Sequence, residues 1–219
     1  MAAAPNSPDL AALLSQSVKS YNERWRTVDD ELYALCRRRN SPREFSDVYT
    51  KVAIIGRVYR AGVARSWRAS GDAETEIAKV LITTEVAELI QDGHHRIGSR
   101  PFDRSSAAEI IQLHEHIVTA ISQCSGNVFL TSFVSKYLHF HFPIAPIYDS
   151  NAQTAINQLV DRRAVAGIRS ELRKGPESVW AYSDFVAAFV VLYERTQLAT
   201  QFNPTVKQID HLLWQPIRS

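Results

Sequence analysis

Apolar residues recur along this chain at spacings of three and four, the period of one helix face, and alternating strand-like runs are absent. The helical pattern covers about 8–20, 28–39, 43–68, 73–92, 105–123, 128–141, 150–160, 162–174, 178–198 and 204–214. Asp72 with Thr75 and Glu76, and Ser105-Ser106 with Glu109, read as helix starts. Gly71, Gly93, Gly98-Ser99-Arg100-Pro101 and Gly175-Pro176 read as stops or loops, with His94-His95 in a glycine-bounded loop. The pattern predicts an all-α fold with short connections.

One stretch departs from the amphipathic rule. From Val128 to His141 nothing breaks a helix, and Pro143 stops it. Phe129, Phe133 and Phe140 fall within about 60° of Lys136 on the helical wheel, and Leu130, Val134, Tyr137 and Leu138 cover most of the remainder. A helix apolar nearly all round is expected to be buried. Lys136 is its only charged residue, apart from protonation of His139 or His141. A lysine so placed must snorkel, pair with an acid or give up its proton. Desolvation lowers a lysine pKa, and a neutral amine is a nucleophile. His139, about 60° from Lys136, could line the same pocket.

Pro143 and Pro146 then force an extended turn, and a new helical pattern opens at about Asn151. Asp149 or Ser150 therefore begins a helix. Asp149 suits the N-cap, but Ser150 with Gln153 also fits a capping box, which would leave Asp149 free to face Lys136. A purely structural Lys136–Asp149 pair is the plainer alternative to a reactive one.

Composition narrows the class. A chain of 219 residues, 45% hydrophobic, with few Gly and Pro, suits one globular domain over 9–219. Residues 1–8 read as a flexible tail rather than a signal peptide, having no basic region and no apolar core. No charge-free apolar run reaches the ~18 residues of a membrane span. Cys36 and Cys124 lie far apart without a CxxC context, as reduced thiols of a cytoplasmic protein would. His114 with His116, and His139 with His141, are spaced i,i+2 and point to different helix faces, so no metal is expected. With no GxxxxGK[ST] or GxGxxG, no nucleotide cofactor is expected, and no GxSxG elbow is present. The stripe Val179, Trp180, Tyr182, Phe185, Val186, Phe189, Val190, Tyr193 reads as a core helix, and Ile209–Trp214 as a last helix docking its tryptophan.

Net charge is only +2, but its distribution is uneven. Between Arg37 and Arg68 nine basic residues (including Lys51) face two acidic ones. On a continuous helix Arg57, Arg60, Arg65 and Arg68 would share about 140° of arc, opposite Val52, Ile55, Tyr59 and Val63. Such a face suits phosphates, although many charge runs are only solvated surface.

The order helix, turn, Lys136 in a helix, proline bend Pro146-Ile147-Tyr148-Asp149, next helix resembles the helix-hairpin-helix–GPD superfamily of DNA glycosylases. It is most similar to the branch that includes 8-oxoguanine glycosylases. The wording Ser132-Phe133-Val134-Ser135-Lys136-Tyr137-Leu138-His139-Phe140-His141 also resembles small uncharacterised bacterial members of that superfamily. The likeness covers roughly 105–160. It implies a two-lobed helical fold with a central cleft, DNA as partner, and excision of a damaged or modified base in repair or phage defence. It implies Lys136 as nucleophile and Asp149 as its acid partner, with Ser132, Phe133, His139 and Tyr148 lining the base pocket. It implies DNA contact at Gly126, in the hairpin position, joined by the basic face of Arg57, Arg60 and Arg68. Two departures stand out: the family hairpin is Gly-x-Gly where this chain has Gly126 alone, ten residues before Lys136, and the Lys–Asp separation is shorter than the family's. They motivate the alternatives of a non-catalytic nucleic-acid-binding module and of a structural interaction protein.

Overall fold

The run Trp180–Thr200 is apolar on nearly every side, and in the computed structural model it is the helix the others surround. The structure describes residues 9–20, 23–59, 61–173, 175–200 and 202–214. These form twelve α-helices and one 3-10 turn, Glu177–Val179, with no strand among them, so the chain is all-α. The helices are α1 (Leu10–Ser20), α2 (Glu23–Arg38), α3 (Phe45–Val58), α4 (Val63–Ser66), α5 (Ala73–Leu81), α6 (Thr84–Arg96) and α7 (Arg104–Cys124). They continue as α8 (Thr131–His141), α9 (Ser150–Leu159), α10 (Arg162–Leu172), α11 (Trp180–Thr200) and α12 (Val206–Leu213).

Helix α11 packs against α1, α7, α8, α9 and α10, and buries Phe185, Phe189 and Leu192 completely. Helix α8 is enclosed by α2, α3, α7 and α11. Every residue from Phe133 to His141 is accordingly buried, as its apolar circumference demands. Buried apolar side chains from Leu10 to Leu213 form one connected core. Truncating a residue such as Phe133 to alanine would cost roughly 3–5 kcal/mol.

The structure departs from the sequence pattern at several joints. The expected helix over 43–68 ends at Val58, and the chain turns through Gly62 in the left-handed region (φ 71°). Short α4 then folds back so that Val63 packs close to Gly56. The expected helix over 73–92 splits after Leu81, where the Thr83 hydroxyl donates to the Val80 carbonyl (2.7 Å) and competes with helix propagation. Gly93 lies inside α6, not at a stop. A Cβ there would meet Phe142 Cζ at 2.9 Å, so glycine lets α6 approach that ring. His94 and His95 belong to the last turn of α6. Helix α7 is capped by Asp103, two residues before its Ser105-Ser106 signal, with Asp103 and Ser106 forming the capping box. Trp214 is 54% exposed; Ile209, Leu212 and Leu213 dock α12 instead.

Candidate active site at Lys136

Lys136 lies in the second turn of α8, and only 6% of it is exposed. Its Nζ donates to the Ser132 hydroxyl one turn earlier (3.0 Å) and lies 3.9 Å from Asp149 Oδ2. The intervening bend is stitched to its surroundings. His139 Nδ1–H donates to the Ala145 carbonyl (2.7 Å), and the Tyr182 hydroxyl donates to the Pro146 carbonyl (2.9 Å). Ser135 Oγ accepts the Tyr148 N–H (3.0 Å) and donates to the Ser132 carbonyl (3.0 Å). These bonds fix Asp149 relative to α8.

Asp149 fills both of the roles that sequence alone left open. It is the N-cap of α9, its Oδ1 accepting the Ala152 N–H (2.9 Å), while Oδ2 faces Lys136. Ser150 is the first helical residue, not the cap.

Burial depresses the Lys136 pKa below the ordinary lysine value. Asp149 and Asp210 act against that shift, and Lys207 reinforces it. Beside the pair sits a second set of charges from α2 and α12. Lys207 Nζ bridges Asp29 Oδ2 (3.0 Å) and Asp210 Oδ2 (3.4 Å), and the Tyr59 hydroxyl donates to Asp29. Burial alone would lower Lys207, but Asp210 and Asp29 together hold it above the ordinary lysine value. Burial raises the Asp210 carboxyl to about 6, opposed by Lys207 and assisted by Asp149 and Asp29.

The other expected pocket residues divide. Ser132 is half-buried and touches Lys136, and Tyr148 is half-buried with its ring edge-on to Phe185 (5.4 Å between centroids). Phe133 is fully buried, directed toward Tyr137 (6.0 Å). His139 has no atom to offer a ligand: Nδ1 is held by Ala145, Nε2 accepts from Tyr33, and burial pushes its pKa down to about 3. It pins the bend rather than lining a pocket. Phe129 precedes α8 and is 37% exposed, so it does not enclose Lys136.

The expected basic face is not one helix face. Arg57 on α3 bonds Glu74 (3.1 Å), a buried carboxylate of α5. Lys51 is fully buried, its Nζ donating to the Arg39 carbonyl. Arg60 lies outside the described residues. Arg68 is exposed and follows α4. Its N–H donates to the Ser125 carbonyl (3.3 Å), which sets it against the α7–α8 turn. In that turn Gly126 (φ 76°) and Asn127 (φ 61°) are left-handed, and a Cβ on Gly126 would come within 3.1 Å of Arg68 Cβ. Arg68 and Gly126 are thus brought together at the turn that leads into α8.

Sequence reasoning missed Ser135, Asp29, Lys207 and Asp210. The two aspartates left a trace. Asp210 falls with Val206, Ile209 and Leu213 on the apolar stripe of α12, and Asp29 with Leu32, Tyr33 and Cys36 on that of α2. A carboxylate within an apolar stripe is a candidate for burial with a partner. No protein-family model, curated protein or solved structure matches the chain.

Proposed function

We propose that the protein is a DNA N-glycosylase, with an associated abasic-site lyase step, acting through Lys136 and Asp149. The observation that carries this reading is a buried lysine, depressed by desolvation, with a carboxylate oxygen 3.9 Å away at the head of the next helix. A damaged or modified nucleotide, flipped from the duplex, would present its sugar to Lys136 across a cleft between two helical lobes. Asp149 Oδ2 takes a proton from the ammonium. The neutral amine attacks C1′, and the C1′–N bond breaks with its electron pair leaving on the base, which picks up a proton. Loss of a proton from the new C1′–N linkage and ring opening give a Schiff base. β-Elimination then breaks the C3′–O bond. Arg68 and the Gly126 turn would hold phosphates near the scissile nucleotide.

Borohydride reduction in the presence of abasic DNA tests the chemistry. The wild type should form a covalent adduct and Lys136→Ala none; full trapping by the alanine variant would end the reading. The low exposure of Lys136 favours one second reading, a nucleic-acid-binding module built on a buried Lys–Asp pair. It predicts salt-dependent DNA binding with no adduct from the wild type.

A further inference from the structure

Asp149 cannot serve Lys136 with its whole carboxylate, because Oδ1 is engaged by the Ala152 N–H at the cap. A second carboxylate lies nearby with the opposite arrangement. Asp210 is 3% exposed, its Oδ2 is shared with Lys207, and its Oδ1 is buried with no hydrogen-bond partner among the described residues. An unpartnered carboxylate oxygen in such a place is costly unless it gains a proton. Helices α9 and α12 pack together, the charge of Asp149 acts on Asp210, and that of Asp210 acts on Lys136.

We propose that Asp210 is a positioning residue of this site, holding on Oδ1 the proton that leaves Lys136 by way of Asp149 Oδ2. This rests on the reading of Lys136 as a nucleophile. The proton balance is closed within the site. One N–H bond of Lys136 breaks, Asp149 carries the proton transiently, and Asp210 retains it until the departing base requires it. Two neighbouring carboxylates in different environments can divide such work, one transferring and the other storing. Lys207 stays charged between Asp29 and Asp210 and keeps the storing carboxylate in register.

The groups facing Asp210 make the test clean. Lys207 of α12, Asp29 of α2 and Asp149 at the head of α9 act on Asp210, which acts in turn on Lys136 of α8, while His211 of α12 and His139 of α8 lie around Lys207 and Asp29. Helix α1, also packed on α12, brings Lys19, which is exposed. Arg26 of α2 acts on His211. Burial holds His139 at about 3 and His211 at about 4, so both imidazoles are neutral where Asp210 titrates, at about 6.

In wild-type protein carrying ¹³C-lysine, the Lys136 Cε resonance should show an inflection near pH 6, separate from its own titration. In Asp210→Asn that inflection should vanish, and Lys136 should titrate at lower pH because a carboxylate that favoured its charge is gone. A wild-type curve flat through pH 6 overturns the proposal, and that measurement needs no variant to fold. In the trapping assay Asp210→Asn should slow adduct formation roughly tenfold or more at pH 7 and remove the inflection near pH 6 from its pH profile, while Asp210→Glu restores part of both. Equal rates and an equal pH profile in Asp210→Asn also overturn it. A wild type that shows the inflection but forms no adduct would sink the glycosylase reading and leave the Lys136–Asp210 coupling standing.

Discussion

Lys136 and Lys207 are both largely buried, both lie near two carboxylates, and they shift in opposite directions. The difference is one of distance and hydrogen bonding. Lys207 lies 3.0 and 3.4 Å from its two carboxylates and hydrogen-bonds to them. Those contacts restore more than burial removes. The nearest carboxylate oxygen to Lys136 is 3.9 Å away, and its hydrogen bond goes to the neutral hydroxyl of Ser132. Desolvation therefore prevails there. Two lysines in one neighbourhood thus differ: one closes a charge network between α2 and α12, and the other has its charged form disfavoured by burial.

The strongest way to break this comparison is Asp149→Asn. Asparagine caps a helix nearly as well as aspartate, so α9 should keep its start and the protein its stability. It cannot accept a proton, so turnover should fall by roughly two to four orders of magnitude, the usual worth of a general base. Thermal unfolding alongside single-turnover excision separates the two. A stable, fully active variant would reduce Asp149 to a cap and leave Lys136 without its acid.

Next in size is Lys207→Met against Lys136→Met. Removing Lys207 takes away the ammonium that bridges Asp29 and Asp210, which should cost roughly 3–5 kcal/mol in urea unfolding. Removing Lys136 takes away an ammonium whose burial is poorly compensated, so its variant should match or exceed the wild type in stability. Comparable losses in both would mean that Lys136 is simply another structural pair.

Much of this could be read from the chain. The apolar circumference around Lys136 foretold the burial of α8 and the sign of the lysine's shift, because both follow from local spacing. The proline bend and the start of α9 were legible for the same reason. The second carboxylate was not, because α12 reaches Lys136 only through tertiary packing, and a single aspartate on an amphipathic helix reads first as surface. The basic face failed differently. Its spacing assumed one continuous helix, but Gly62 in the left-handed region turns the chain at its middle, and Glu74 of a neighbouring helix claims Arg57. Charge periodicity holds only while the helix does.

Alkaline titration sharpens the comparison by sign. The folded value of Lys136 lies below its unfolded value, so between the two the unfolded chain holds the extra proton, and the lysine's contribution to stability rises with pH. Lys207 has a raised folded value. Its contribution is complete below the ordinary lysine value and is lost as pH rises through the folded one. Urea unfolding from neutral to alkaline pH should therefore rise more steeply, or fall less, in the wild type than in Lys136→Met. Parallel curves would deny Lys136 its depressed value.

The smallest expected effect carries the same contrast to the arginines. Arg57 is bonded to buried Glu74, whereas Arg68 forms no ion pair among the described residues and lies against the Gly126 turn. A charge already partnered inside the fold has less to offer a phosphate than one facing solvent. Arg68→Ala should leave unfolding unchanged, weaken DNA binding similarly across sequences, and flatten the salt dependence by about one unit of slope. Arg57→Ala should instead lower stability modestly, because Glu74 is left buried without its cation, and should barely change the salt slope. Fluorescence anisotropy with a labelled duplex at several salt concentrations reads both. A slope that falls for Arg57→Ala and stays fixed for Arg68→Ala would reverse the assignment and move the phosphate track away from the α7–α8 turn.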